Sequence, residues 1–130
     1  MKKHISHLNV SIGMLLIRLG VGGIFLSHGW SKLANMEGTI AFFSQLGFDP
    51  LIAYVVAIGE LLGGISMILG IFTRWSGVGL ALIMLGALFL LKFKNGFSGE
   101  FELLLLLTAL GISFSGPGKY SLERTFYNHE

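Results

Sequence analysis

Residues 12–30 read IGMLLIRLGVGGIFLSHGW, and residues 51–72 read LIAYVVAIGELLGGISMILGIF. Each stretch is long and apolar enough to cross a bilayer, which takes about 20 helical residues at 1.5 Å each. Each also carries one formal charge deep inside it: Arg18 in the first, Glu60 in the second. An ionised side chain at the centre of a spanning helix costs roughly 2.5–3.5 kcal/mol on insertion scales. In the second stretch about a dozen Leu, Ile, Val, Phe and Met residues, at up to roughly −0.5 kcal/mol each, outweigh that cost. Both stretches therefore insert, and their charges face the protein interior, where they mark a working site.

Two further apolar runs follow. The third extends from Trp75 to Phe93, and the fourth from Phe101 to Ser115, beginning a turn earlier near Ser98. That earlier start puts Glu100 and Glu102 in a first helical turn, where acidic side chains are favoured. Asp49-Pro50 opens the second span as a capping residue followed by Pro at the first helical position. With their flanks the spans cover about residues 12–33, 50–72, 74–93 and 98–115. The fold expected is all-α: an integral membrane four-helix bundle forming a single domain over residues 1–130.

The composition agrees. Of 130 residues 53% are hydrophobic and 12% charged, against about 25% charged in soluble domains. A net charge of +2, scattered along the chain, gives no nucleic-acid patch. The absence of cysteine excludes disulfide exchange by this chain, thiolate metal sites and a cysteine nucleophile. No metal site is expected. The 19 glycines point to close helix packing.

Lys2 and Lys3 precede the first run, but it is long, contains Arg18 and lacks a small-x-small cleavage site, so it reads as an uncleaved helix. With four spans both termini share a side. That side carries Lys2, Lys3, Arg74, Lys119 and Arg124; the other carries Lys32, Lys92 and Lys94. The bias puts the termini in the cytoplasm. Between the first two spans, Met36, Ile40, Phe43 and Leu46 recur at helical spacing, with Glu37, Ser44 and Gln45 elsewhere. They predict a short amphipathic helix in the outer interface. The very short connection at Thr73-Arg74 predicts a tight antiparallel pair of the second and third spans.

On the first helix Arg18, Gly22, Phe25, Gly29 and Lys32 share a face, with His28 beside it. On the second, Glu60, Gly63, Gly64, Met67 and Ile71 do the same. Counting from the helix ends places Arg18 roughly 10 Å from the inner boundary and Glu60 roughly 14 Å from the outer one. The remaining gap is within an arginine's reach, so the two are expected to pair. A structural ion pair and a functional one, binding a polar group or relaying a proton, both stay open. His28, Lys32, Glu102 and Lys92 map near the outer helix ends and form an expected polar vestibule above the pair.

These residues resemble the DoxX family of small four-helix bacterial membrane proteins, from about Leu15 to Leu122. The matching pieces are Arg18 with Gly22 and Phe25, His28-Gly29, Lys32-Leu33, Gly47, Pro50, Glu60, Gly63-Gly64, Gly70 and Thr73-Arg74. Asn95-Gly96-Phe97, Glu102 and the closing Gly116-Pro117-Gly118-Lys119-Tyr120-Ser121-Leu122 complete the set. The chain departs from the family pattern at Glu123, where Asp is common, and at Lys92, where His is common. The resemblance implies a membrane subunit linked to quinone chemistry, like the small subunit of a thiosulfate:quinone oxidoreductase. In that reading Arg18 stabilises charge on a quinone oxygen, Glu60 or His28 exchanges the proton, and Lys32 and Glu102 line the outer vestibule. Electrons would pass through a bound quinone or a redox partner subunit, since the chain lacks cysteines, a cluster ligand set and a nucleotide motif. The competing readings are a small proton-coupled transporter or exporter and a non-catalytic scaffold subunit. Homo-oligomerisation stays open.

Overall fold

The computed structural model describes residues 2–92 and 99–127, with side chains from 9 to 90 and from 99 to 126. Phe93, Lys94, Asn95-Gly96-Phe97 and Ser98, named above as span ends or matching pieces, lie outside the described residues, as does the Lys92 side chain. All the regular structure among the described residues is helical: α1 (Lys2–Ala34), α2 (Met36–Gln45), α3 (Pro50–Leu69), α4 (Thr73–Ala87), α5 (Glu100–Ser115) and α6 (Leu122–Tyr127). A π-helical turn, Leu88–Lys92, continues α4.

The protein is an all-α membrane bundle in which α1, α3, α4 and α5 form the body and α2 bridges the first two. Three of these helices are long and apolar enough to cross a membrane: Asn9–Ala34 within α1, α3, and α4 with its continuation to Leu90. The 16 described residues of α5 cover about 24 Å at 1.5 Å each. Apolar side chains cover the outside, as a lipid-facing surface requires, including Leu16, Val55, Leu62, Leu82, Leu104 and Phe114. Trp30 and Trp75, both largely exposed, mark opposite ends of the bundle, the depth at which tryptophan concentrates in membrane proteins.

Two helix ends differ from the sequence reading. α1 begins at Lys2 rather than near Ile12, because nothing in residues 2–11 breaks a helix and the polar turns simply extend the span. α3 stops at Leu69 rather than Phe72, because Gly70 turns left-handed (φ 72°) and its N–H donates back to the Ser66 carbonyl. Glycine is the residue that adopts this conformation without a Cβ penalty.

Helix pairing is the larger correction. α3 and α4 are neighbours, yet the extensive contacts are α1 with α3 and α4 with α5. Glycine decides this. A Cβ on Gly64 would lie 2.5 Å from the Leu26 nitrogen of α1, and one on Gly22 would lie 2.8 Å from the Gly64 carbonyl oxygen. The α1 and α3 backbones therefore touch, as small residues permit. Gly77 gives α4 the same closeness to the Ala109 carbonyl of α5. Gly63 of α3, in contrast, faces the Leu80 side chain of α4, which holds those two helices apart. The bundle is thus two glycine-welded pairs with a looser seam, filled by Phe25, Met67, Leu80, Ala109 and Ile112.

Candidate functional site

Arg18 and Glu60 do not meet. Arg18 is completely buried, and its guanidinium donates from Nη1 to the carbonyls of Met67 (2.9 Å) and Ile68 (3.3 Å) and from Nη2 to that of Tyr120. Met67 and Ile68 belong to the last turn of α3, whose final four carbonyls have no intrahelical donor. A cation is favoured at this negative end of the helix dipole. Tyr120 lies in the closing Gly116–Ser121 segment, where Gly116 and Gly118 take positive φ, and this leads into α6, whose Glu123 N–H donates to the Gly70 carbonyl (3.0 Å). Gly70 leaves room for the guanidinium, since a Cβ there would lie 2.5 Å from Arg18 Nη1. Arg18 therefore caps α3 and ties the closing segment to it.

Glu60 finds Lys32 instead. Lys32 Nζ lies 2.9 Å from Glu60 Oε1, with side-chain exposures of 26% and 2%. The register of the two helices explains the exchange. Gly29 packs against Leu61 and Ala57, and Gly22 against Gly64 and Ile68. Arg18, four residues below Gly22, is thereby carried to the end of α3, while Lys32, three residues above Gly29, comes within side-chain reach of Glu60. The depth count failed because it took each helix to start at its own membrane boundary, whereas the glycine contacts set the axial offset between the two helices.

Above Glu60 the seam between the two helix pairs opens into a cavity of about 480 Å³. His28 and Lys32 of α1, Glu60 of α3 and Glu102 of α5 all line it, so four of the five sequence-predicted site residues converge while Arg18 stands apart. The rest of the wall is apolar. Ile52 and Val56 come from α3, Leu82 to Leu90 from α4 and its π-helical turn, and Phe101 from α5. Phe42, Phe43, Leu46 and Phe48 of α2 and its exit loop close the top. His28 stacks on Phe101 with ring centroids 6.0 Å apart, bridging the thin α1–α5 seam.

Glu60 is the chemical focus. Its Oε1 holds the lysine, while Oε2 is buried and has no hydrogen-bond partner among the described residues. A buried carboxylate oxygen left this way carries a desolvation cost, which a ligand donor reaching it from the cavity would relieve. Neither Lys32 as the partner of Glu60 nor the α2 aromatic lid was singled out from the sequence. The signal for Lys32 was its place on the Arg18–Gly22–Gly29 stripe. For the lid it was the phenylalanine density of residues 42–48.

A DoxX family model matches residues 13–92, so the chain belongs to that family. It is 46% identical to a Bacillus subtilis (strain 168) protein named "Putative oxidoreductase CatD", over 86% of this chain and 85% of that one. It is 28% identical to "Inner membrane protein YqjF" of Escherichia coli K12, over 87% and 91% of the two chains. It is 30% identical to "Uncharacterized membrane protein Rv3486" of Mycobacterium tuberculosis H37Rv, over 85% and 79%. No solved structure gives a significant match.

Proposed function

We propose that this DoxX-family protein binds the head of a quinone-like, lipid-soluble molecule in the α2-capped cavity and serves as the membrane subunit of a quinone-linked oxidoreductase. The observation that carries the reading is the Lys32–Glu60 pair in an otherwise apolar, aromatic-walled cavity, with Glu60 Oε2 unpartnered. Its volume lies in the 300–1,000 Å³ range usual for small-molecule sites. The apolar walls suit a ring and tail, and the orphaned carboxylate oxygen suits a polar ring substituent. The printed name of the Bacillus relative supports the oxidoreductase part.

Bound there, a quinone supplies acceptance of two electrons, delivered by an electron-donating partner subunit, and of two protons. The chain's own contribution is positional. Lys32 keeps a positive charge at the polar end of the cavity and takes the charge-stabilising role that the sequence reading gave to Arg18. Glu60 Oε2 is the oxygen that takes up and passes on the proton, and the His28–Phe101 stack orients the ring and closes the α1–α5 side. Glu102 contributes a second carboxylate to the wall.

In a Trp75→Phe background, a tailed quinone titrated into nanodisc-embedded protein should quench Trp30 saturably. Glu60→Gln should weaken binding of the reduced quinol form, whose hydroxyl donates to Oε2, by about 10–100-fold, the equivalent of one charge-assisted hydrogen bond of roughly 1.5–3 kcal/mol. Linear quenching, unchanged by Glu60→Gln, contradicts the reading. A saturable solute flux driven by a pH gradient, without quinone binding, would replace it with transport.

We infer a bacterial inner membrane, which the printed name of the Escherichia coli relative supports, with both termini cytoplasmic from the distribution of Lys and Arg. Because the chain has no native thiol, cysteines introduced at Ser6 and Gln45 report sidedness directly. An impermeant reagent on intact spheroplasts should label position 45 and spare position 6; the opposite pattern reverses the topology.

A further inference from the structure

A second cavity, of about 500 Å³, adjoins the first at the α1–α2 corner. Its walls include Ser31, Asn35 and Thr39, and it shares His28, Lys32 and two α2 phenylalanines with the apolar cavity. The corner is firmly framed. Asn35 Oδ1 accepts from the Gly38 N–H at 3.2 Å, and Thr39 Oγ1 donates to the Lys32 and Asn35 carbonyls at 3.0 and 2.9 Å. Ser31 and Asn35 are exposed, so this polar vestibule meets the aqueous face that carries α2. Lys32 stands in the partition, part exposed, with its ammonium on the buried carboxylate of Glu60.

The other direction is closed. Between Glu60 and the far end of the bundle lie Phe25, Met67, Leu80 and Ile112, each at most 1% exposed. The α1–α3 backbone contact at Gly22 and Gly64 seals the same stretch, and the Arg18 clamp lies beyond it. The titratable groups lining the cavity around Glu60 are His28 and Lys32 from α1 and Glu102 from α5; the described lining residues of α2, α3 and α4 add none.

We infer that this vestibule is the proton entrance of the site: Glu60 exchanges its proton with the solution on the α2 side of the membrane, past Lys32, and not with the opposite side. The inference rests on the quinone reading for its purpose. With a quinone bound and electrons supplied by the partner, Glu60 Oε2 would take a proton from the vestibule and pass it on, its O–H bond breaking as one forms on the ring oxygen. Glu60 would then return to the carboxylate that Lys32 holds. The two cavities divide the labour, one admitting a lipophilic ligand and the other admitting water.

The test needs no quinone. Single cysteines are placed at Glu60 or at Val56, one turn away on the same face of α3, in the full chain reconstituted into sealed vesicles. A small cationic methanethiosulfonate reagent, which attacks only water-accessible thiolates, is added to one face at a time. A Gln45→Cys sample identifies the α2 face. Both Glu60→Cys and Val56→Cys should react at least roughly tenfold faster from that face than from the other. Ser31→Trp, which fills the vestibule, should slow the reaction of Val56→Cys severalfold without changing that of Gln45→Cys. Should Glu60→Cys fail to fold, Val56→Cys carries the measurement. Equal rates from both faces, faster reaction from the opposite face, reaction from neither face, or no effect of Ser31→Trp each overturn the inference. Quinone binding with no such accessibility would leave the functional reading standing and remove this one; accessibility without quinone binding would do the reverse.

Discussion

Arg18→Met should be among the most damaging single substitutions in the chain. It leaves the Met67, Ile68 and Tyr120 carbonyls, all accepting from one guanidinium, without donors where water is scarce. At about 1 kcal/mol or more per stranded acceptor the loss is roughly 3–5 kcal/mol, enough to unfold many proteins of marginal stability. Arg18→Lys should rescue only part of it, because an ammonium is compact where the guanidinium reaches three carbonyls in a fixed fork. Thermal unfolding in detergent checks the size of the effect, and a double-mutant cycle checks its origin. Arg18→Met and Glu60→Gln should be additive within about 0.5 kcal/mol, while Lys32→Met and Glu60→Gln should couple by roughly 1–3 kcal/mol. Coupling of Arg18 with Glu60 would restore the pairing expected from sequence.

Gly64→Val should be comparably severe for a different reason. Its side chain would meet the Leu26 nitrogen and the Gly22 carbonyl oxygen, at 2.5 and 2.7 Å from the Cβ alone. Both are backbone atoms, which cannot swing aside as a side chain can. The α1–α3 pair must then separate, at a cost of roughly 1–3 kcal/mol or more for overpacking. Glu60 and Lys32 would separate with it, so quinone binding should fall together with stability. Gly79→Ala is the control: a Cβ there has nothing within 4 Å, so both properties should hold. Equal tolerance at positions 64 and 79 would mean that the helices do not touch at Gly64.

Much of the bundle was legible because the bilayer leaves few choices. Long apolar runs become spanning helices, and the Met36, Ile40, Phe43 and Leu46 stripe becomes the half-buried face of α2, while Glu37, Ser44 and Gln45 stay exposed. The glycine stripes around Arg18 and Glu60 correctly announced backbone contact between α1 and α3. What periodicity does not encode is axial offset. A helix face says which residues point to a partner, whereas the level at which they meet depends on interlocking shapes such as Gly29 against Leu61. That one quantity moved Glu60 from Arg18 to Lys32. It also turned Arg18 from a member of the polar centre into the clamp on the closing segment. The pairing of α4 with α5 was hidden for a related reason: a short connection makes two helices neighbours, but side-chain volume decides how closely they pack, and Leu80 opposite Gly63 keeps α3 and α4 apart.

The central claim is that a quinone head lies against Lys32 and Glu60 beneath α2. The most direct measurement is photolabelling of the membrane-embedded protein with a tailed azidoquinone, followed by mapping of the attachment sites. The account predicts labels within residues 42–48 of the lid and 82–90 of the facing wall, strongly reduced by Glu60→Gln and by an excess of unlabelled quinone. Labels spread over the lipid-facing surface around Trp75 and Phe114, indifferent to both, would contradict it.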